Sequence, residues 1–311
     1  MSSELPDATY VLKEETSIHS LLFWEDKLLA GINGGQISKW SLKTFRKSGT
    51  ILTLGTSACM CMKLLDDTLV TQEKEGNLKF WKFRTDSWSL LKSTDLDYCG
   101  FCKIDSTTNG NIIVCPKKNA VVELYSLQSH IKVMSFKAKN EFVTLGDVMA
   151  VKVIYIRQNP YVLAAYENGE LRLWDFRTQG VVSHLKNEDC VISLDFSESD
   201  MKGVCGGVND YLVVFNIDGN CHLNGIKTLK ITNPGANSIK IRDDNKIMAA
   251  GCWDGSIRVY SWKSLRPLAV LQEHLEEIND ISFFTYGKQY LVVGGKDRKI
   301  SLWDIYNKAA E

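Results

Sequence analysis

Seven times along the chain a short apolar segment ends on an aromatic residue: Trp40, Trp81, Tyr125, Trp174, Phe215, Tyr260 and Trp303. The steps between them are 41, 44, 49, 41, 45 and 43 residues. A unit of that size cannot bury an apolar face alone, so it must stack on its neighbours. Inside the units the alternation is that of strands. In the run from Tyr161 to Asp175, Leu171 and Leu173 alternate with Glu170 and Arg172, as a strand with one buried face requires. Asn168-Gly169 just before it is a hairpin signal, because both turn residues need positive φ. The same grammar recurs from Ile247 to Tyr260 and from Tyr290 to Asp304.

Two of the units close on Trp-Asp, at Trp174-Asp175 and Trp303-Asp304. A strand ending on that dipeptide every forty-odd residues is the mark of WD-repeat β-propellers. The expected fold is therefore all-β: a seven-bladed WD-repeat β-propeller occupying 8–311 as one domain, with 1–7 as a short tail. Its blades end near 40, 81, 125, 174, 215, 260 and 303. Little chain follows Trp303-Asp304, whereas Thr9 to Leu12 reads as a strand ahead of blade one's first strand, Ile18 to Phe23. Residues near 8–13 are expected to supply the outer strand of blade seven and to protect its edge.

The charge balance is 37 basic against 37 acidic residues, which gives no general electrostatic grip on nucleic acid or anionic membrane. The longest apolar runs are strand-sized, and the N-terminus carries no secretory pattern. Nine cysteines, mostly in strand patterns, fit a reducing compartment, cytoplasm or nucleus, with free thiols.

Chemistry-bearing motifs are scarce, and no catalytic, cofactor-binding or metal-binding residues are expected. Cys99-Gly-Phe-Cys102 has a redox-like spacing, but Tyr98 to Ile104 reads as the inner strand of blade three, which makes these buried strand cysteines. The five histidines lie in different blades, and no phosphate-binding or nucleophile-elbow motif occurs. Blade seven comes nearest to a buried network of His, Ser/Thr, Asp and Trp, with His274, Asp297 and Trp303, although Gly295 stands where the hydroxyl is expected. His274 thus reads as structural, and the blades are otherwise expected to rest on apolar packing.

A rigid propeller without chemistry is a binding platform. Trp253 falls in a turn with little core to fill, the loop into the same blade carries Asn233 and Pro234, and blade seven adds Lys296, Arg298 and Lys299. Aromatic and arginine side chains dominate binding energy, so Trp253, Asn233, Pro234 and Arg298 are the expected contact face. Phe142, in the irregular connection 137–146, is a further candidate anchor. The acidic residues Glu273, Glu276 and Glu277 beside His274 could meet a basic partner.

Several segments together resemble one family. They are Thr232 to Gly235, Ala250 to Asp254, Ile257 to Tyr260, Arg266 to Leu271 and Gly295 to Trp303, with Gly35 to Leu42, Gly100 to Cys102 and Ala164 to Asp175 earlier in the chain. The family is that of guanine nucleotide-binding protein subunit beta-like protein 1, called ASTRA-associated protein 1 in fungi. The resemblance implies a non-catalytic adaptor in the co-chaperone system that matures phosphatidylinositol 3-kinase-related kinases and supports the DNA-damage response. Its implied partners are the Tel2–Tti assembly, the RuvB-like AAA+ ATPases and the large kinases themselves, met by a monomer within a larger complex. A G-protein γ subunit is not expected as a partner, since about eight residues precede the first strand and no heptad pattern exists. The alternative function is the substrate-receptor propeller of a ubiquitin ligase.

Overall fold

The computed structural model describes residues 7–137 and 144–306 of the chain. These residues form a seven-bladed WD-repeat β-propeller built from seven four-stranded sheets, with strands as the only regular elements described. Six sheets run in chain order from first to fourth strand, over 18–53, 59–95, 105–136, 148–186, 191–230 and 236–272. In blade seven the order breaks. Its strands Ile278–Tyr286, Lys288–Gly295 and Lys299–Trp303 are completed by Tyr10–Lys13, with Tyr10 opposite Leu302 and Lys13 opposite Lys299. The chain divides into two compact units, 1–62 with 237–311 and 63–236.

The recurring aromatic marks a specific event in the backbone. At Trp40, Trp81, Tyr125, Trp174, Phe215 and Tyr260 the pairing of the third strand with the fourth slips by one residue. Such a bulge bends the outer strand and leaves its extra residue unpaired. The residues passed over include Leu91, Val133, Val182, Ile226 and Leu268, all of them exposed. Much of the apolar side-chain area on the outer strands is thus a by-product of the bulge. In blade seven the outer strand comes from elsewhere in the chain, and its ladder runs to Leu302 without a slip.

Apolar packing was expected to carry most blades, but at four of the bulges the aromatic is also held by polar atoms, and the partner differs from blade to blade. In the unit 1–62 with 237–311, the buried carboxylate of Glu14 accepts the hydroxyl of Ser38 and the indole N–H of Trp40 at 2.5 Å. Its second oxygen meets Lys47 Nζ at 2.8 Å. In the unit 63–236, Trp81 Nε1 donates to Thr71 Oγ1 at 3.0 Å and Trp174 Nε1 to the Tyr166 hydroxyl at 3.0 Å, while the Tyr125 hydroxyl donates to Glu123 Oε2 at 2.8 Å. Phe215 needs space rather than a partner. It lies opposite Gly203, where a Cβ would stand 2.3 Å from the ring.

First strands of the unit 63–236 are linked by alternating charge. Lys63 Nζ lies 2.7 Å from Asp105 Oδ1, whose other oxygen accepts the Val153 N–H at 2.9 Å. Lys152 Nζ lies 2.9 Å from Asp195 Oδ1. Burial would raise the Asp105 carboxyl, but the ammonium groups of Lys63 and Lys152 outweigh it and hold the group well below the usual carboxylate range. Asp195 raises Lys152 above the ordinary lysine value against the opposing effect of burial, and Asp105 adds to the rise.

One expected strand is missing. Tyr98 to Ile104 is irregular backbone, and the first strand of blade three is cut to Asp105–Ser106. Cys99 is consequently exposed, not buried in a strand, while Cys102 remains buried.

Candidate protein-interaction face

In the unit 1–62 with 237–311, three short segments meet: the turn Trp253 to Gly255, the connection Glu273 to Glu277 and the turn Lys296 to Lys299. The first contact needs glycine. Gly255 has φ +79°, and a Cβ there would lie 2.5 Å from the His274 carbonyl oxygen. Asp254 fixes the same turn, since its Oδ1 accepts the Ser256 N–H at 2.9 Å and the Ser256 hydroxyl at 2.5 Å. Trp253 in this turn is 39% exposed and donates its indole N–H to Asn237 Oδ1 at 2.8 Å.

The second contact runs through His274, which is buried. Its Nδ1 is 2.9 Å from Asp297 Oδ1 and its Nε2 is 2.8 Å from Ser301 Oγ, which also accepts the Trp303 indole N–H at 2.8 Å. Burial pushes the imidazole pKa below its ordinary value, with Asp297 opposing. A neutral ring then donates Nδ1–H to Asp297 and accepts the Ser301 hydroxyl at Nε2. The hydroxyl expected at position 295 is supplied from 301 instead. A Cβ at Gly295 would come within 2.6 Å of both His274 Nδ1 and Asp297 Oδ1, so only glycine fits there. Ser301→Ala should leave His274 and Trp303 without their shared partner and lower stability by about 1–3 kcal/mol. Urea unfolding measures this, and an unchanged midpoint would deny the network any structural weight.

Asp297 also accepts the Leu275 N–H at 3.1 Å, so the backbone of the connection is pinned while the Leu275 side chain stands 84% exposed. The neighbouring charges are largely spent on each other. Lys299 Nζ meets Glu273 Oε1 at 2.7 Å, and Lys296 Nζ meets Glu277 Oε1 at 3.2 Å. Arg298 is exposed, and its guanidinium makes no ion pair among the described residues. Its φ is +67°, at the position just before the third strand that Gly35, Gly76, Gly169 and Gly255 fill in other blades. A left-handed conformation costs a residue with a Cβ about 1–2 kcal/mol. An arginine is therefore held, in a strained conformation, directly after Asp297, the residue that pins the backbone of the exposed Leu275.

Of the residues singled out from sequence, Trp253, His274, Asp297, Arg298 and Trp303 belong to this one arrangement. Asn233 and Pro234 are exposed in the other unit, where Gly235 N–H ties their loop to the Asn209 carbonyl at 3.0 Å. Phe142 lies outside the described residues. Leu275 and Ser301 escaped the sequence reasoning, the first because a lone leucine among glutamates reads as spacer. Among the described residues no group of three or more His, Cys, Asp or Glu side chains is arranged to hold a metal ion. No described helix is long and apolar enough to cross a membrane.

Comparison with known proteins bears on the same region. The family profile described as WD domain, G-beta repeat matches residues 225–261 and 265–304. Guanine nucleotide-binding protein subunit beta-like protein 1 of Mus musculus is 31% identical over 288 residues, covering 90% of this chain and 87% of that protein. ASTRA-associated protein 1 of Schizosaccharomyces japonicus is 29% identical over 193 residues, covering 55% of this chain and 51% of that protein. Its namesake in Schizosaccharomyces pombe is 46% identical over a shorter 77-residue stretch, 25% of this chain and 21% of that protein.

Proposed function

Because the chain belongs to the family of guanine nucleotide-binding protein subunit beta-like protein 1 and ASTRA-associated protein 1, a family of WD-repeat proteins, we propose that it is a non-catalytic scaffold in an ASTRA-type assembly. It acts in the biogenesis and stability of phosphatidylinositol 3-kinase-related kinases, in cytoplasm and nucleus. Its partners are the Tel2–Tti assembly, the RuvB-like ATPases and the kinases as clients. The observation that carries this reading is the face formed by Trp253, Leu275 and Arg298, fixed by the buried His274–Asp297 pair beneath it.

Such a face supports binding for three reasons. Its backbone is already ordered, so docking costs little conformational entropy. Covering Leu275 and the open side of Trp253 removes apolar surface from water at roughly 25 cal/mol per Å². Arg298 stands ready for a carboxylate and has no ion-pair partner among the described residues to give up.

Tagged protein purified from cells tests the reading. Trp253→Ala, Leu275→Ala and Arg298→Gly should each lower recovery of the Tel2–Tti and RuvB-like proteins about tenfold, equivalent to about 1.4 kcal/mol. Arg298→Gly should at the same time leave stability unchanged or raise it by up to about 1 kcal/mol, because glycine relieves the left-handed strain. Equal recovery from folded variants would rule the face out, and recovery of cullin-ligase components instead would replace the proposed role with that of a substrate receptor.

A further inference from the structure

Blade three departs from its neighbours in one place. The first strand of every other blade runs six to nine residues, whereas here only Asp105–Ser106 pair. Side chains of the same unit satisfy the backbone of the loop that replaces it. Gln72 Nε2 donates to the Cys102 carbonyl at 2.8 Å, and Gln72 Oε1 accepts the Ile104 N–H at 2.9 Å. The Tyr98 hydroxyl accepts the Cys102 N–H at 3.2 Å and donates to the Val148 carbonyl at 3.0 Å. Both side chains are buried, Gln72 at 1% and Tyr98 at 3% exposure. Gly100 allows the loop to fold over the phenol, since a Cβ there would lie 2.4 Å from its oxygen.

What this buried support holds up is one aromatic side chain. Phe101 is 62% exposed, and Lys74 Nζ lies 4.9 Å from its ring centroid. Lys74 makes no ion pair among the described residues, and the neighbouring Glu73 is taken by Lys79. Unlike Leu91, Val133 or Ile226, Phe101 is not the surplus residue of a bulge. A loop with ordered backbone and a projecting ring is preorganised for contact.

We propose that the 96–104 loop is a second docking element, in which Phe101 enters an apolar cleft of a folded partner whose rim presents a carboxylate to Lys74. The exposure argues for a cleft: a single projecting ring, 62% exposed on a hydrogen-bonded loop, is most fully desolvated by a concave surface. The charge argues for the carboxylate. Enclosing the ring strips water from the ammonium resting on it, and an anion must replace that water for the contact to be favourable. The element draws on blades two, three and four, and does not depend on the role assigned to Trp253, Leu275 and Arg298.

A photo-crosslinking phenylalanine analogue placed at Phe101 in the tagged full chain, activated in cells and mapped by mass spectrometry, tests the proposal. The expected crosslink is to one partner, at an apolar cleft with an Asp or Glu at its rim. Lys74→Glu should reduce it at least tenfold, Lys74→Arg should preserve it, and Lys74→Glu combined with reversal of the partner's carboxylate to lysine should restore it. Unchanged urea midpoints for the Lys74 variants keep folding out of the comparison. A crosslink that is absent, indifferent to Lys74→Glu or not rescued by the charge swap would overturn the proposal. The crosslink should also persist in the Arg298→Gly protein; its loss there would deny that the loop is a separate element.

Discussion

Glu14→Ala should unfold at markedly lower urea than the parent protein, with a stability loss of about 3 kcal/mol. The carboxylate is buried and gathers three donors: the Ser38 hydroxyl, the Trp40 indole N–H and the Lys47 ammonium. Ser38 and Trp40 are themselves buried, so neither can turn to water when Glu14 is truncated. Each stranded donor costs about 1–3 kcal/mol. Lys47 is different, because its side chain is 30% exposed and its ammonium can be rehydrated. Lys47→Ala should nonetheless destabilise, because it leaves the fully buried Glu14 carboxylate without its counter-charge, held only by the Ser38 and Trp40 hydrogen bonds. Glu14→Gln, which keeps an acceptor but loses the charge, should fall between Glu14→Ala and the parent. If Glu14→Ala keeps the parent's midpoint, the carboxylate is not the anchor of blade one.

The second large effect is expected at Asp105. Asp105→Ala removes the carboxylate that lies against Lys63 and accepts the Val153 N–H; Lys63 is 30% exposed and can be rehydrated, so the stranded N–H dominates and the cost should be about 1–3 kcal/mol. Asp105→Asn should recover part of that through the Val153 contact alone. The two variants also differ from the parent in their response to pH. A carboxyl whose folded pKa is depressed contributes stability that is present above its unfolded value, about 3.9, and is lost as pH falls through the folded value. The parent should thus weaken below about pH 4, and Asp105→Asn should weaken less over the same range. Lys152 acts at the other end. Its raised pKa gives stability that is fully present below the unfolded value, about 10.4, and is lost as pH rises through the higher folded value. Urea midpoints from pH 3 to pH 11 should form a plateau that slopes down at both ends, and an acid limb identical in Asp105→Asn would remove Asp105 as its cause.

Much of the propeller was legible because each blade repeats its signals locally. The aromatic, the glycine or asparagine turn before the third strand and the alternation after it all lie within about fifteen residues, as in 161–175. The fourth strand of blade seven was legible for the opposite reason: Thr9 to Leu12 had no local partner. Blade three was misread between Tyr98 and Ile104, where alternating apolar residues look like a strand. What prevents a strand is invisible locally, because Gln72, which takes over the hydrogen bonds of Cys102 and Ile104, comes from the preceding blade. Trp253 and Arg298 could be picked out by residue type in a turn. Leu275 could not, since only its exposure marks it. The fate of Lys296 and Lys299 was equally hidden, because pairing with Glu277 and Glu273 is a matter of register across a loop.

The sheet of blade seven, which joins strands far apart in the chain, also bears on the timing of synthesis. Val11 is paired with Ser301, a separation of 290 positions. At translation rates of about 5–20 residues per second, the early strand waits roughly 15–60 s for the late one. Through that interval Tyr10–Lys13 is an unmatched strand, and the segment that would accept it has not yet left the ribosome. Two nascent chains on one message could satisfy each other's strands by exchange before either satisfies its own. A holding factor near the ribosome exit would suppress that exchange, and slowing translation of the last blade should raise the yield of interlocked dimers.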